Sequence, residues 1–150
     1  MKPVLFHGDF APWNIRVSSS AKNGEWIVLD WERGTLRGVP GWDWFNFVVQ
    51  YNTWIRRLSP EATLSEIETV WESPGFRAYA RRTGIETILK ELTFVYLLYF
   101  LRYCNPHVKT ARLRLLVREF NKKYFADIVL SAPPLNISVV TASYLSLIHI

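Results

Sequence analysis

The hydrophobic pattern of this sequence changes once, near residue 41, and that change most limits the folds open to the chain. Before it, short apolar runs alternate with turn residues, which predicts strands at Val4 to Phe6, Asn14 to Val17 and Trp26 to Leu29. The polar stretch SSSAKNGE at 18–25 would join the last two as a hairpin. After it, apolar residues recur at helical spacing. The pattern indicates an α+β fold that is mainly helical.

Local start and stop signals divide the helical part. Ser59 followed by Pro60 predicts a helix start, with Thr63 and Glu66 as an alternative capping box, and Gly84 predicts a helix end. The predicted helices are Trp42 to Leu58, Pro60 to Glu72, Pro74 to Gly84, Glu86 to Tyr103, and Pro106 to about Leu130.

The chain has 150 residues, and its fractions of apolar and charged residues are those of an ordinary globular protein, so we expect about one domain. Its one cysteine, Cys104, is expected to be a core residue in a reducing compartment. No signal-peptide pattern opens the sequence, so we expect a cytoplasmic protein. The segment 131–150 contains no Lys, Arg, Asp or Glu and does not continue the helical pattern, which indicates a loose end or a non-native extension.

A net charge of +5 could serve an anionic partner or only solubility. Much of the excess lies in the last predicted helix, which carries Lys109, Arg112, Arg114, Arg118, Lys122 and Lys123. A solvated face and contact with an anionic substrate or lipid surface both stay open. The sequence contains no recognised nucleic-acid-binding module, so a nucleic-acid partner is not expected.

The most chemically suggestive stretch is HGDFAPWN at 7–14. Asp9 and Asn14 lie on a loop that leaves the first predicted strand, and the third predicted strand leads directly into Asp30. Magnesium favours oxygen ligands and is commonly held by one or two carboxylates together with substrate phosphates. Asn14 and Asp30 suit that task, and Asp9 would then be free to orient a hydroxyl and accept its proton.

This motif resembles the aminoglycoside phosphotransferase and choline kinase family, a branch of the protein-kinase-like fold. The resemblance lies in His7-Gly8-Asp9 followed by Asn14, in Asp30-Trp31-Glu32 after a strand, and in Asp43 at a helix start. It covers roughly residues 3 to 50 by motif. The implied fold is a protein-kinase-like C-terminal lobe at 1–130, with a short β-hairpin region at the catalytic loop and a helical subdomain after it.

The resemblance also implies roles for single residues and for the bound cofactors. Asp9 would be the catalytic base, and Asn14 and Asp30 would bind Mg²⁺ that bridges the phosphates of ATP. His7 would hold the shape of the loop, and Asp43 would brace it. Glu32 matches an acidic position of the choline-kinase-like members, and as an alternative it is only a turn residue.

The sequence departs from the family pattern at its beginning. Kinase-like enzymes hold ATP with a Gly-rich loop and a strand lysine on an N-terminal lobe, and neither precedes His7. We therefore expect a fragment whose N-terminal lobe is missing. The alternative is a non-catalytic binding module derived from such a lobe.

The implied acceptor is a hydroxyl of a small molecule: an aminoglycoside, choline, a sugar or a similar alcohol. We expect its pocket between the catalytic loop and the helices, shaped by Trp42, Trp44, Trp54 and acidic residues such as Glu61 or Glu72. A metallohydrolase that uses His7, Asp9, Asp30 and Glu32 around a transition metal is a further alternative.

Overall fold

Four short strands come first in the computed structural model, which describes residues 1–18, 25–103 and 110–125. They are β1 (Val4–Phe6), β2 (Ile15–Val17), β3 (Trp26–Val28) and β4 (Thr35–Gly38). Strand β1 pairs with β4 and β2 pairs with β3, both antiparallel. The three predicted strands are confirmed to within one residue at each end. Strand β4 was not predicted, because Leu36 is its one large apolar residue and so gives no alternating pattern. The Leu36 side chain is 79% exposed in the structure.

Five helices follow among the described residues: α1 (Trp42–Gln50), α2 (Pro60–Glu72), α3 (Pro74–Thr83), α4 (Leu89–Tyr103) and α5 (Thr110–Phe125). The predicted starts at Pro60 and Pro74 are confirmed. Ser59 Oγ caps α2 by accepting from the Ala62 N–H at 3.2 Å, and Gly84 ends α3 at a φ of 72°. The alternative capping box is wrong, because Thr63 is buried within α2.

Two predicted helices are less regular than expected. The α-helix predicted for Trp42 to Leu58 ends at Gln50 and continues as one π-helical turn, Tyr51–Ile55. The helix predicted from Glu86 begins with a 3₁₀ turn, Glu86–Ile88, before α4. Irregular turns of this kind adjust the phase of a helix face, which periodicity alone does not reveal.

The hydrophobic core lies among the helices. Phe45 on α1, Ile67 on α2, Leu97 on α4 and Phe120 on α5 are each at most 1% exposed. The strand region, in contrast, leaves Trp26, Ile27 and other large apolar side chains exposed. The fold is α+β and mainly helical, as predicted. None of the helices in the described part of the chain is long and apolar enough to cross a membrane.

Several expectations lie outside the described residues. They are the core role of Cys104, the helix start at Pro106, the helix end near Leu130, most of the 18–25 connection, the position of Lys109, and the tail at 131–150.

Candidate catalytic loop and adjoining hollow

The loop at 7–14 leaves β1 through a turn that requires glycine. Gly8 has a φ of 85°, in the left-handed region that residues with a Cβ rarely adopt. A Cβ there would also lie 2.8 Å from Cβ of Arg33. The loop then closes with a 3₁₀ turn at Pro12–Asn14, which leads directly into β2. Asp9 and Asn14 are thereby held at opposite ends of one short, constrained segment.

His7 joins this loop to the end of β3. Its ring Nε2 lies 2.7 Å from the carbonyl oxygen of Leu29, and its Nδ1 accepts from the Asp9 N–H at 3.2 Å. These partners assign the proton to Nε2. The ring is 2% exposed and packs against Trp31 with centroids 4.6 Å apart. Because both ring nitrogens bind protein groups, His7 has a structural position in this loop.

Asn14 contacts Asp9 directly. Its amide nitrogen donates to the Asp9 backbone oxygen at 2.9 Å and to Asp9 Oδ2 at 3.2 Å. Asn14 is buried, and its backbone oxygen accepts from the Leu29 N–H at 2.8 Å. The side-chain oxygen of Asn14 is the atom with the chemistry of a cation ligand.

Asp30 lies next to this loop because the preceding residue, Leu29, is hydrogen-bonded to the loop on both sides. The Leu29 N–H donates to the Asn14 backbone oxygen, and the Leu29 carbonyl accepts from His7 Nε2. Asp30 itself is exposed and has a φ of 63°, an uncommon left-handed conformation for a residue other than glycine. Such strain is found often at functional sites. A carboxylate oxygen and an amide oxygen are ligand types that Mg²⁺ takes when water and phosphates complete its shell.

The metallohydrolase alternative needs a denser cluster. Among the described residues, no group of three or more His, Cys, Asp or Glu side chains is placed to hold a metal ion. The set His7, Asp9, Asp30 and Glu32 is therefore not assembled as that alternative requires. Glu32 is exposed and lies within the turn that Gly34 N–H closes on the Trp31 oxygen at 2.8 Å.

Asp43, in the first turn of α1, binds the backbone of the loop. Its Oδ2 accepts from the His7 N–H at 2.7 Å, and its Oδ1 accepts from the Gly8 N–H at 3.2 Å. Burial raises the pKa of the Asp43 carboxyl and outweighs the two hydrogen bonds, which lower it. The contact connects the helical part of the protein to the loop that carries Asp9.

A hollow of about 420 Å³ opens beside Asp9. Gln50 on α1 lines it and directs its Nε2 toward Asp9 Oδ1 at 3.5 Å. Asn46, one turn earlier, donates to the Phe10 oxygen at 3.1 Å and accepts from the Tyr96 hydroxyl at 2.8 Å. Much of the remaining wall is aromatic: Phe6, Trp42, Trp54, Tyr96, Tyr99 and Phe100.

Sequence reasoning missed Asn46 and Gln50, although a signal was present. Both are buried amides in an apolar helix, and their spacing of four places them on one face. A buried polar pair of this kind requires specific partners, which makes it a marker of a site.

The side chains that we expected to shape the acceptor pocket do not all line one space. Trp42 and Trp54 line the hollow beside Asp9 as expected, but Trp44 lines a second hollow of about 470 Å³ with Trp26 and Trp31. Two acidic residues that we expected there line other depressions: Glu72 beside Arg77, and Glu61 beside Lys122. The spacing of residues along these helices does not determine which hollow each side chain lines.

Comparisons with protein-family models, with curated proteins and with solved structures find no match to this chain.

Proposed function

We propose that this chain is the catalytic lobe of an ATP- and Mg²⁺-dependent phosphotransferase that phosphorylates a hydroxyl group of a small molecule. The observation that supports it most directly is the position of the Asp9 carboxylate. Oδ2 contacts Asn14, one of the two proposed magnesium ligands, whereas Oδ1 faces Gln50 in the hollow. One carboxylate thus lies between a proposed magnesium ligand, Asn14, and a space of ligand size.

This position suits a base that works between two substrates. An acceptor hydroxyl in the hollow would give its proton to Asp9 as its oxygen bonds to the transferred phosphorus and the bond to ADP breaks. Asn14 and Asp30 would hold Mg²⁺, which supplies charge neutralisation at the phosphates of ATP. His7 and Asp43 would keep the Asp9 backbone in place through their hydrogen bonds to the loop.

The proposal includes a partner lobe. A Gly-rich loop and a strand lysine that hold ATP would come from an N-terminal lobe outside this sequence, and the exposed apolar side chains of the strand region are compatible with such a partner. We propose that such an enzyme works in the cytoplasm, one of the compartments that contain ATP.

Turnover tests the role of Asp9. The gene product extended upstream of Met1 is assayed for ADP formation with Mg²⁺, ATP and a panel of small alcohols. Asp9→Asn should lower turnover roughly 10²–10⁴-fold, because the general base is lost, with little change in the melting temperature. Glu86→Gln, at an exposed carboxylate that does not line the hollow beside Asp9, is the matched control for loss of a carboxylate. Unchanged turnover in Asp9→Asn would refute the proposal.

Metal binding can be tested on the chain itself. Paramagnetic Mn²⁺ with ATP should broaden the backbone amide signals of Asn14 and Asp30 in ¹H–¹⁵N spectra. Asp30→Ala should abolish the broadening, and Glu86→Gln, at an exposed carboxylate that does not line the hollow beside Asp9, should keep it. Broadening at both sites without turnover in the extended protein would favour the non-catalytic binding module instead.

A further inference from the structure

Two polar side chains of α1 hold the backbone on both sides of Asp9. Asp43 accepts from the backbone N–H groups of the two residues that precede Asp9. Asn46 donates from Nδ2 to the carbonyl oxygen of Phe10, which directly follows Asp9, at 3.1 Å. Asp43 and Asn46 are three positions apart, so they lie on one face of the helix. Both ends of the segment 7–10 are therefore attached to the same rigid element.

A tyrosine of α4 binds the other end of the Asn46 amide. The Tyr96 hydroxyl donates to Asn46 Oδ1 at 2.8 Å, and both side chains are buried. A backbone carbonyl only accepts, so the amide must direct Nδ2 to Phe10 and Oδ1 to the hydroxyl. The ring of Tyr96 packs against Phe45 and Phe100, with centroids 5.8 Å and 5.6 Å away. The orientation of Asn46 is thus determined from both ends.

These contacts distinguish Asn46 from another buried amide in the same helical run. Asn52 accepts from Arg56, four positions later, so this contact lies within one segment of the chain. Asn46 instead bonds across 36 positions to Phe10 and across 50 positions to Tyr96. An apolar side chain could fill the same place without the cost of burying polar atoms. What the amide adds is a fixed position for the Phe10 carbonyl.

From these contacts, and resting on the proposed function, we infer that Asn46 is a positioning residue for Asp9. It holds the backbone immediately after Asp9 against α1, while Asp43 holds the backbone before it. Asp9 then keeps Oδ2 toward Asn14 and Oδ1 toward Gln50 in the hollow. Asn46 acts on the acceptor hydroxyl through the placement of the Asp9 carboxylate.

Backbone order parameters from ¹⁵N relaxation of the 150-residue chain test the inference. Asn46→Leu keeps the approximate size of the side chain and removes both of its hydrogen bonds. The order parameters of the Asp9 and Asn14 amides should fall from about 0.85, which is typical of a rigid backbone, toward about 0.6. That of Ile67, in the core of α2, should stay unchanged. Order parameters are measured in folded molecules, so a lower melting temperature alone does not change them.

Two further variants control for folding. Asn52→Leu replaces a buried amide in the π-helical turn after α1, and the loop should keep its wild-type order parameters. Tyr96→Phe removes only a hydroxyl group, so its folding is less at risk, and it should lower the order parameters of Asp9 and Asn14 to a smaller extent. Unchanged loop order parameters in both Asn46→Leu and Tyr96→Phe, or an equal loss in Asn52→Leu, would overturn the inference.

Turnover of the extended protein gives a second readout. Asn46→Leu should lower kcat roughly tenfold, because misplacement of a catalytic group by about 1 Å can cost up to about 10²-fold in rate. The KM for ATP should stay the same, since Asn46 does not hold the nucleotide. Rates are divided by the folded fraction, measured by circular dichroism. Asn52→Leu should keep the wild-type kcat.

Failure of this inference and failure of the proposed function give different results. A mobile loop in Asn46→Leu, with no phosphate transfer to any alcohol by the extended wild-type protein, would refute the phosphotransferase and keep the role of Asn46 in placing Asp9. Phosphate transfer by Asn46→Leu at the wild-type kcat would refute the inference and keep the phosphotransferase.

Discussion

Asp43 Oδ2 lies 2.7 Å from the backbone nitrogen of His7, although the two residues are 36 positions apart in the sequence. The other oxygen of the same carboxylate accepts from the next backbone N–H, that of Gly8. Helix α1 therefore fixes the beginning of the loop that carries Asp9. The conformation of that loop therefore depends on a contact between the strand region and the helical region.

Asp43→Asn should destabilise the protein by about 1–3 kcal/mol, because an amide N–H₂ group would face a backbone N–H and leave it without an acceptor. Chemical denaturation measures the change in the free energy of unfolding. Glu32→Gln makes the same carboxylate-to-amide change at an exposed turn, and it should alter stability by no more than about 0.5 kcal/mol. Equal effects of both variants would show that the Asp43 contact contributes nothing specific.

Nε2 of His7 should carry a ring proton and Nδ1 should act as an acceptor, because Nδ1 accepts from the Asp9 N–H and Nε2 donates to the Leu29 oxygen. Long-range ¹H–¹⁵N spectra of the imidazole distinguish the two tautomers. His7→Phe would keep ring packing on Trp31 but lose both hydrogen bonds, at a cost of about 1–3 kcal/mol. A proton found on Nδ1 would contradict the assigned hydrogen bonds.

The parts of the fold that were predictable from sequence are those that local chemistry decides. Ser59 with Pro60, and Gly84 with its positive φ, mark helix ends through contacts within a few residues. Strand β4 was not predictable in this way. Its exposed Leu36 gives no alternating pattern, and the strand exists because β1 lies beside it.

The same distinction between local and long-range contacts applies to the candidate site. The spacing of Asp9 and Asn14 within one loop could be predicted to bring them together, and their side chains form a hydrogen bond. The acceptor side was predicted poorly, because it depends on how distant helices are rotated. Gln50 reaches Asp9 across 41 positions of sequence, and Glu72 faces a different depression altogether.

Gly38→Ala should disrupt the pairing of β1 with β4. A Cβ at Gly38 would lie 1.9 Å from Cβ of Phe6, so one strand would have to move. Overpacking of this kind typically costs about 1–3 kcal/mol. Gly75→Ala in α3 is the matched control, because a Cβ there meets nothing within 4 Å and alanine favours a helix. Thermal unfolding should show a lower melting temperature for the first variant and an unchanged or higher one for the second.

The contact between α2 and α5 should give the protein a stability component that is sensitive to acid. Glu68 on α2 forms an ion pair with Lys123 and accepts from the Tyr124 hydroxyl, both on α5. Burial alone would raise the pKa of Glu68, but the bonds to Lys123 and Tyr124 outweigh it and lower that pKa below 4.5. Between the folded-state pKa of Glu68 and its unfolded-state pKa, the unfolded chain binds more protons than the folded one. The stability from this group is therefore present above pH 4.5 and is lost as the pH falls through the folded-state pKa.

Glu68→Gln should therefore flatten the acid side of a plot of unfolding free energy against pH. Lys90→Met removes a cation that lies over the Tyr124 ring but does not pair with Glu68, and it should keep the wild-type slope. A slope that Glu68→Gln leaves unchanged would show that these bonds do not hold the carboxylate in its charged form.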